Sequence, residues 1–506
     1  MFKSILNPLL RLKKWTRFSA HLLRRKAFRG GWILDYISNR KLRLPRDLGH
    51  TGQEIEPQEQ TEHDSFIDVM VCVVDHFEPG EHRGDQVAGD RVTAWCEDYR
   101  ELVQDHVDSD GVRPQHTWFY RFEYLNPFCV ANLSKFAFAG LGEVEFHLHH
   151  GFDDHESFSK KLRDGISLAQ QYGAMLTAEQ TPQCKFAYIA GNWSLDNGSG
   201  DDSKSGCNTE IGALRDLGCF ADFTFPAIGS KAQPRKVNAI YYANDCPKPK
   251  SYNTGIDVRV NGNVEGDLMI CQGPTVIDMD LPYVETAAIE SFAPPLPFRL
   301  DRWLSANVHV QGRPEWKFIK LHTHGTQSRD RWFEKDGEFG FDGDIKNTFD
   351  SMFTEMESKW KKGRYRLHYV TAREMYNIIK AAEAGHSGNP NDYRDYEIAR
   401  PANRWISCDQ PWRLVTFCRE MAAVEFSTAG LKSVSFGFTQ VSTVSGDLRA
   451  IKLLTCEGHV VDLQITASGP VEVVVREPLS FEPTCFGVSS DQCKVVITNE
   501  LNASIH

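Results

Sequence analysis

The chain contains no run of about 18 apolar residues, so it offers no membrane-spanning helix. It has no Cys-x-x-Cys pair. Its 13 cysteines are scattered and odd in number, which argues against a compact disulfide framework and points to free thiols in a reducing, cytoplasmic compartment. An excess of cations is also missing: the net charge of -11 argues against a general nucleic-acid binder. Nor does the N-terminus read as a signal peptide, because Lys and Arg interrupt each apolar stretch and no small-residue cleavage site follows one.

What is present is unevenly spread. Residues 1–50 hold 13 Lys and Arg against Asp35 and Asp47, leaving 44 basic and 66 acidic residues in the rest of the 506-residue chain. Phe2, Ile5, Leu9, Trp15, Phe18 and Leu22 are interleaved with those cations. This basic amphipathic arm has two readings: it lies on the inner face of a membrane with its cations toward anionic lipid, or it docks on the acidic body. Residues 51–64, TGQEIEPQEQTEHD, are polar and without apolar period, and read as a linker.

From 65 to 386 strand-like and helix-like patterns alternate, which selects an α/β fold with a parallel sheet. FIDVMVCVVD, 66–75, is a near-continuous apolar run suited to a strand buried on both faces. Thr371 and Glu374 form a capping box before a helix with Met375, Ile378, Ile379 and Ala382 on one face. Residues 387–400 are a turn-rich boundary. Beyond 401 the chain becomes a series of short β-branched runs, as expected for a smaller all-β, sandwich-like domain.

The polar residues capable of chemistry gather at strand ends. In VEFHLHHGFDDH, 144–155, the two-residue period of a strand sends His147 and His149 to one side and Phe146 and Leu148 to the other. His150, Asp153, Asp154 and His155 follow, with His155 placed at the start of the next helix. Asp75, His76 and Glu78 end the first strand. Asn192, Trp193 and Asp196 lie in the loop after CKFAYIAG, Asp222 opens DFTFP, and His322 and His324 end WKFIKLHTHG. Parallel topology brings such ends to one rim, where imidazoles and carboxylates suit a divalent metal, zinc above all, and hydrolysis.

The order VVDH (73–76), HLHH (147–150), DFTFP (222–226) and KLHTH (320–324) resembles the polysaccharide deacetylase superfamily over about residues 66–385. The resemblance implies a distorted (β/α) barrel of about seven units and removal of N- or O-linked acetyl groups from a saccharide or polysaccharide. It implies Asp75 as catalytic base, His76, His147 and His149 as metal ligands, and His322 as general acid. The sequence departs from the family pattern in its His-x-His pair and in carrying His76 where an acidic ligand is usual. Glu78, His150 or Asp153 then supplies the missing carboxylate, while Asn192, Trp193, Asp196, Asp222 and His324 remain further ligands or substrate contacts. Trp193, Trp118 and Phe225 are candidates for stacking on sugar rings. Two alternatives stay open: a non-catalytic glycan-binding or assembly protein of a surface-polysaccharide pathway, and a metal-independent glycoside hydrolase using Asp75 or Glu78 with Asp222.

Overall fold

The computed structural model describes residues 31–43, 66–80, 84–175, 183–278, 283–290, 293–326, 345–401 and strand segments between 407 and 497. The first 30 residues of the arm, the 51–64 linker and the run at 412–418 lie outside the described residues.

The main body is a mixed α/β unit built on a ten-stranded, mostly parallel sheet. Its strands are β1 (Ile67–Phe77), β2 (His116–Arg121), β3 (Gly142–Leu148), β4 (Phe186–Ala190), β5 (Cys219–Asp222), β6 (Ile240–Ala243), β7 (Ile256–Asp257), β8 (Leu268–Cys271), β11 (Trp316–Thr323) and β12 (Tyr365–Tyr369). The hydrogen-bonded order is β11-β1-β2-β3-β4-β5-β8-β6-β7, with β12 also paired to β1. Among the described strands of this sheet β6 runs against its neighbours β8 and β7, and the other pairings are parallel. The ladder path therefore has two ends among the described residues. Lys320 on β11 reaches across to the segment after β5, donating to the carbonyls of Phe223 at 2.5 Å and Phe225 at 2.6 Å.

β1 is buried on both faces, as its unbroken apolar run requires. Val69, Val71 and Val73 join one core with Trp95, Tyr99 and Phe353, contributed by the helices α2 (Asp85–Leu102) and α7 (Ile345–Trp360). Met70, Cys72 and Val74 join a second core on the inner face with Phe119, Ala187 and Ile189. The helix α8 (Ala372–Glu383) closes that core with Met375, Ile378, Ile379 and Ala382. It begins with the expected capping box: Thr371 Oγ1 accepts from Glu374 N at 3.2 Å, and Thr371 N donates to Glu374 Oε2 at 3.0 Å.

The intervening helices α3 (Pro127–Phe138), α4 (His155–Gln171) and α5 (Glu210–Asp216) fall where the alternation puts them. The stretch 230–315 has a less regular pattern. It holds the small hairpin β9 (Val276–Asp278) and β10 (Tyr283–Glu285) and the helix α6 (Pro297–Ser305), which the sequence pattern did not separate.

One helix of the arm, α1 (Trp32–Arg43), docks on this region. Trp32 is fully buried, Tyr36 Oη accepts from Ile277 N at 3.1 Å, and Asp35 pairs with Arg235 at 3.1 Å. Leu34 and Ile37 face outward, 74% and 53% exposed. No helix among the described residues is long and apolar enough to cross a membrane.

Beyond residue 401 the described elements are strands alone, in two sheets. One contains β13 (Ser407–Cys408), β15 (Ser433–Phe436), β16 (Thr439–Thr443), β19 (Val471–Val475) and β21 (Cys493–Ile497). The other contains β14 (Ala422–Leu431), β17 (Leu448–Cys456), β18 (His459–Ala467) and β20 (Thr484–Phe486).

Candidate metal centre

Strand alternation aims the histidines. On β1 the inner face carries Val74, then His76, then Glu78 just past the strand end; on β3 it carries His147, followed by His149. On β11 His322 pairs in register with Val74 and Thr323 with Asp75, so His324 comes level with His76. The two rings stack with centroids 4.7 Å apart, and His76 meets His147 edge-on at 5.0 Å.

Glu78, His147 and His149 converge. Glu78 Oε1 lies 3.1 Å from His147 Nε2 and 3.2 Å from His149 Nε2. His147 Nδ1 is 2.8 Å from the carbonyl of Ile189, and His149 Nδ1 is 2.8 Å from Glu123 Oε1. A carbonyl only accepts, so the proton of His147 sits on Nδ1 and leaves Nε2 with its lone pair. Glu123 fixes the same tautomer for His149. Two lone pairs and a carboxylate oxygen then point at one another, an arrangement that repels unless a cation or added protons lie between them. Burial alone would raise the Glu78 carboxyl; added protons on the facing nitrogens of His147 and His149, in the place a cation would otherwise take, hold it down to about 2. His149, disfavoured as a cation by burial, is pushed below the usual histidine value.

This donor set fits a divalent metal. A tetrahedral zinc site with bonds of about 2.1 Å has donor-to-donor edges of about 3.4 Å, close to the separations here, and two histidines with one carboxylate leave a fourth position open. The backbone carbonyl and Glu123 behind the two rings are the outer partners that metal-binding histidines characteristically have.

A second cluster, Asp108, Asp110 and His368, brings similar residue types together. Its chemistry is different. Both nitrogens of His368 face carboxylates, Asp68 at 2.8 Å and Asp110 at 2.7 Å, and these outweigh burial and favour the doubly protonated ring, whereas His149 between Glu78 and Glu123 is pushed toward the neutral form that keeps a lone pair. Asp108 already accepts from three backbone N–H groups and from Arg394. This cluster is an ion network at the opposite end of β1.

Around the candidate centre, burial holds His76 well below the usual histidine range, helped by the charge of His324. His322, near Lys320, is likewise held low by burial, and its Nδ1 is buried with no hydrogen-bond partner among the described residues. His324 behaves in the opposite way. Burial opposes its charge, but its Nδ1 bond to Glu290 Oε1 at 2.7 Å overrides this and lifts it to about 9.

The remaining sequence candidates scatter. Asp75, expected as the base, turns to the outer face, where its Oδ2 meets His116 Nε2 at 2.9 Å and its Oδ1 accepts from Gly325 N at 2.8 Å. Strand alternation places it back to back with His76 rather than beside it. His76 itself lies outside the converging group of three, and Glu78 takes the third place. His150 also faces outward, bonded to Asp153 Oδ2 at 3.0 Å and 3.5 Å from Glu210; against burial these carboxylates raise it to about 9, and both residues serve the packing of α4 and α5. His155 opens α4 and bonds Thr209 Oγ1 at 3.0 Å.

Asp196 is buried and anchors Ser251 through Oδ2, its carboxyl raised by burial to about 8. Asp222 accepts from Thr224 N and Oγ1 and is raised by burial to about 7, with Lys320 opposing that shift. Trp118 and Phe225 are fully buried, the latter stacked on Tyr252 at 4.7 Å, so neither is a stacking surface. Asn192 and Trp193 do reach the rim, and the Trp193 ring lies 6.3 Å from His76. Glu123 and Glu290 had no part in the sequence motifs. Each sits in a loop whose position depends on folding, and only its distance to a histidine reveals it.

The sequence matches no protein-family model, and it has no significant similarity to a curated protein.

Proposed function

We propose that this protein is a divalent-metal-dependent hydrolase that removes N- or O-linked acetyl groups from a saccharide or polysaccharide. The observation that carries the reading is the convergence of the two Nε2 lone pairs of His147 and His149 on Glu78 Oε1, with both Nδ1 protons committed behind them. The motif order resembling polysaccharide deacetylases supplies the substrate class. Bound there, zinc or a similar cation supplies a water with a pKa near 7 and polarises a carbonyl oxygen.

The chain's own residues orient and hold protons. Ile189 and Glu123 fix the two rings. His324, charged against Glu290, holds a proton near the stacked ring of His76 and is better placed than His322 to donate it to the leaving amine or alcohol. We read the main sheet as a distorted barrel, supported by the reach of Lys320 from the end strand β11 to the segment after β5, and the C-terminal sheets as an accessory sandwich. We also read α1 as a peripheral contact with the inner face of a membrane, supported by its exposed Leu34 and Ile37 beside a basic sequence.

The test is metal analysis of the purified chain, followed by acetate release from N-acetylated and O-acetylated saccharides with and without chelator. One metal per chain and acetate release lost on chelation are expected, both abolished in a His147→Ala, His149→Ala double variant. No bound metal and no acetate from either substrate type overturns the reading. Glycan cleavage that survives chelator would instead favour a glycoside hydrolase, and glycan binding without turnover a non-catalytic protein.

A further inference from the structure

Along β1 every second residue faces the outer core under the helices. Val69, Val71, Val73 and Phe77 meet it with apolar side chains, and Asp75, in the same series, does not. It is fully buried, as are the His116 and Trp95 rings, whose centroids lie 4.8 Å apart. A carboxylate and an imidazole at such a position cost desolvation that another valine would not. Packing alone gives no reason for an acid here.

Its contacts give one. The ladder between β1 and β11 ends where Asp75 pairs with Thr323, so the peptide joining His324 to Gly325 lies beyond the last pairing. The N–H of that peptide donates to Asp75 Oδ1 at 2.8 Å, while Asp75 Oδ2 is held by His116 Nε2 at 2.9 Å. A side chain thus supplies the acceptor that the strand no longer offers. Gly325 permits the approach: a Cβ there would lie 2.2 Å from Asp75 Oδ2 and 3.0 Å from Trp95 Nε1. What this bond holds in place is His324, whose ring stacks on His76 at 4.7 Å and bonds Glu290 on the inner face.

We propose that Asp75 is the positioning residue of His324. Backed by His116, it clamps the peptide after His324 and so sets where that imidazole stands over His76, beside the candidate centre. The use of His324 as proton donor rests on the hydrolase reading, but the clamp does not. The role that motif order implies for Asp75, taking a proton from water, is a different one. A base must accept a proton, whereas a clamp needs only an acceptor oxygen. Asparagine keeps that oxygen for Gly325 N and turns its amide to His116, which can accept in its other tautomer. Leucine keeps the bulk and loses the acceptor.

The test uses the full chain with zinc added and its histidine rings labelled with ¹³C. The NMR signal of His324, assigned by its loss in His324→Gln, should stay in place in Asp75→Asn and shift in Asp75→Leu and Gly325→Ala. Acetate release from N- and O-acetylated saccharides should follow the signal: kcat within about tenfold of wild type in Asp75→Asn and about 100-fold lower in the other two, with KM little changed. Zinc affinity should be the same in all of them. Gly325→Ala should add little to the loss in Asp75→Ala, because the carboxylate that its Cβ would meet is gone.

A loss of about 1000-fold or more in Asp75→Asn with the His324 signal unmoved would overturn the clamp and make Asp75 the base. An unmoved signal in Gly325→Ala or Asp75→Leu would overturn it as well. If Asp75→Leu does not fold, Asp75→Asn and Gly325→Ala carry the same comparison. A wild-type chain that releases no acetate removes the hydrolase reading, and the His324 signal then decides the clamp alone.

Discussion

Glu123 Oε1 accepts from His149 Nδ1 at 2.8 Å, and the same carboxylate is gripped by Arg121. A carboxylate behind a metal-facing imidazole fixes its tautomer and raises its basicity, so Glu123 is a positioning residue. Glu123→Gln should weaken zinc binding by about 10- to 100-fold, measured by competition with a chromophoric chelator. Glu123→Asp, which keeps the charge but shortens the reach, should fall between.

Metal binding should also register as stability. Zinc at about 100 times its dissociation constant stabilises the folded chain by about 2.7 kcal/mol. Calorimetry of the wild-type chain should therefore show a zinc-dependent rise in melting temperature. The rise should vanish in Glu78→Gln and in the His147→Ala, His149→Ala variant, and survive in His368→Gln. A zinc response that follows His368 instead would move the metal centre to the other end of β1.

His368 gives the pH dependence. Burial opposes its charge, but Asp110 and Asp68 more than compensate, and its pKa is raised above 6.5. A group with a raised folded pKa contributes stability that is complete below the unfolded value and declines as pH rises through the folded one. Denaturant midpoints should thus fall as pH increases above about 6.5. His368→Gln should be less stable by roughly 1–3 kcal/mol at pH 6, because it removes a buried charged hydrogen bond from Asp68 while the Arg366 pair remains, and its midpoint should vary less with pH.

The outward face of α1 can be tested without disturbing its docking. Residues 1–43 contain 12 Lys and Arg and one acid, Asp35, which is engaged by Arg235. The full chain should sediment with vesicles containing anionic lipid and remain in solution with neutral ones. Leu34→Glu with Ile37→Glu should reduce that binding at least tenfold while leaving the melting temperature within a degree or two, since both side chains are exposed. Equal binding by the variant would place the contact elsewhere.

Much of the main sheet was legible because its signals are local. An unbroken Val-rich run and a capping box each constrain a few neighbouring residues, and β1 and α8 appear where those signals stand. The two-residue period likewise put His147 and His149 on one side. The same period, applied to Asp75, His76 and Glu78, places Asp75 on the far face, yet motif order had assigned it to the site. Glu123 and Glu290 were illegible for another reason: nothing near them in sequence marks a carboxylate that meets a histidine 26 or 34 residues away. The irregular 230–315 stretch hid a hairpin and a helix because short edge strands and a Pro-initiated helix leave little periodic trace.

The pairing of β1 bears on how the chain reaches this state. Its neighbours β11 and β12 lie about 250 and 300 residues downstream, as the registers of Asp68 with Trp316 and with Arg366 record. During synthesis this strand, buried on both faces in the finished fold, emerges long before either partner exists, with only β2 soon available on one side. Pairing so distant in sequence is slow, and an unpaired Val-rich edge invites association with other chains. Chaperone demand and aggregation on overexpression should therefore track the time β1 spends waiting, and a chain cut short before residue 316 would keep Glu78, His147 and His149 while leaving the strand that presents Glu78 without β11 and β12.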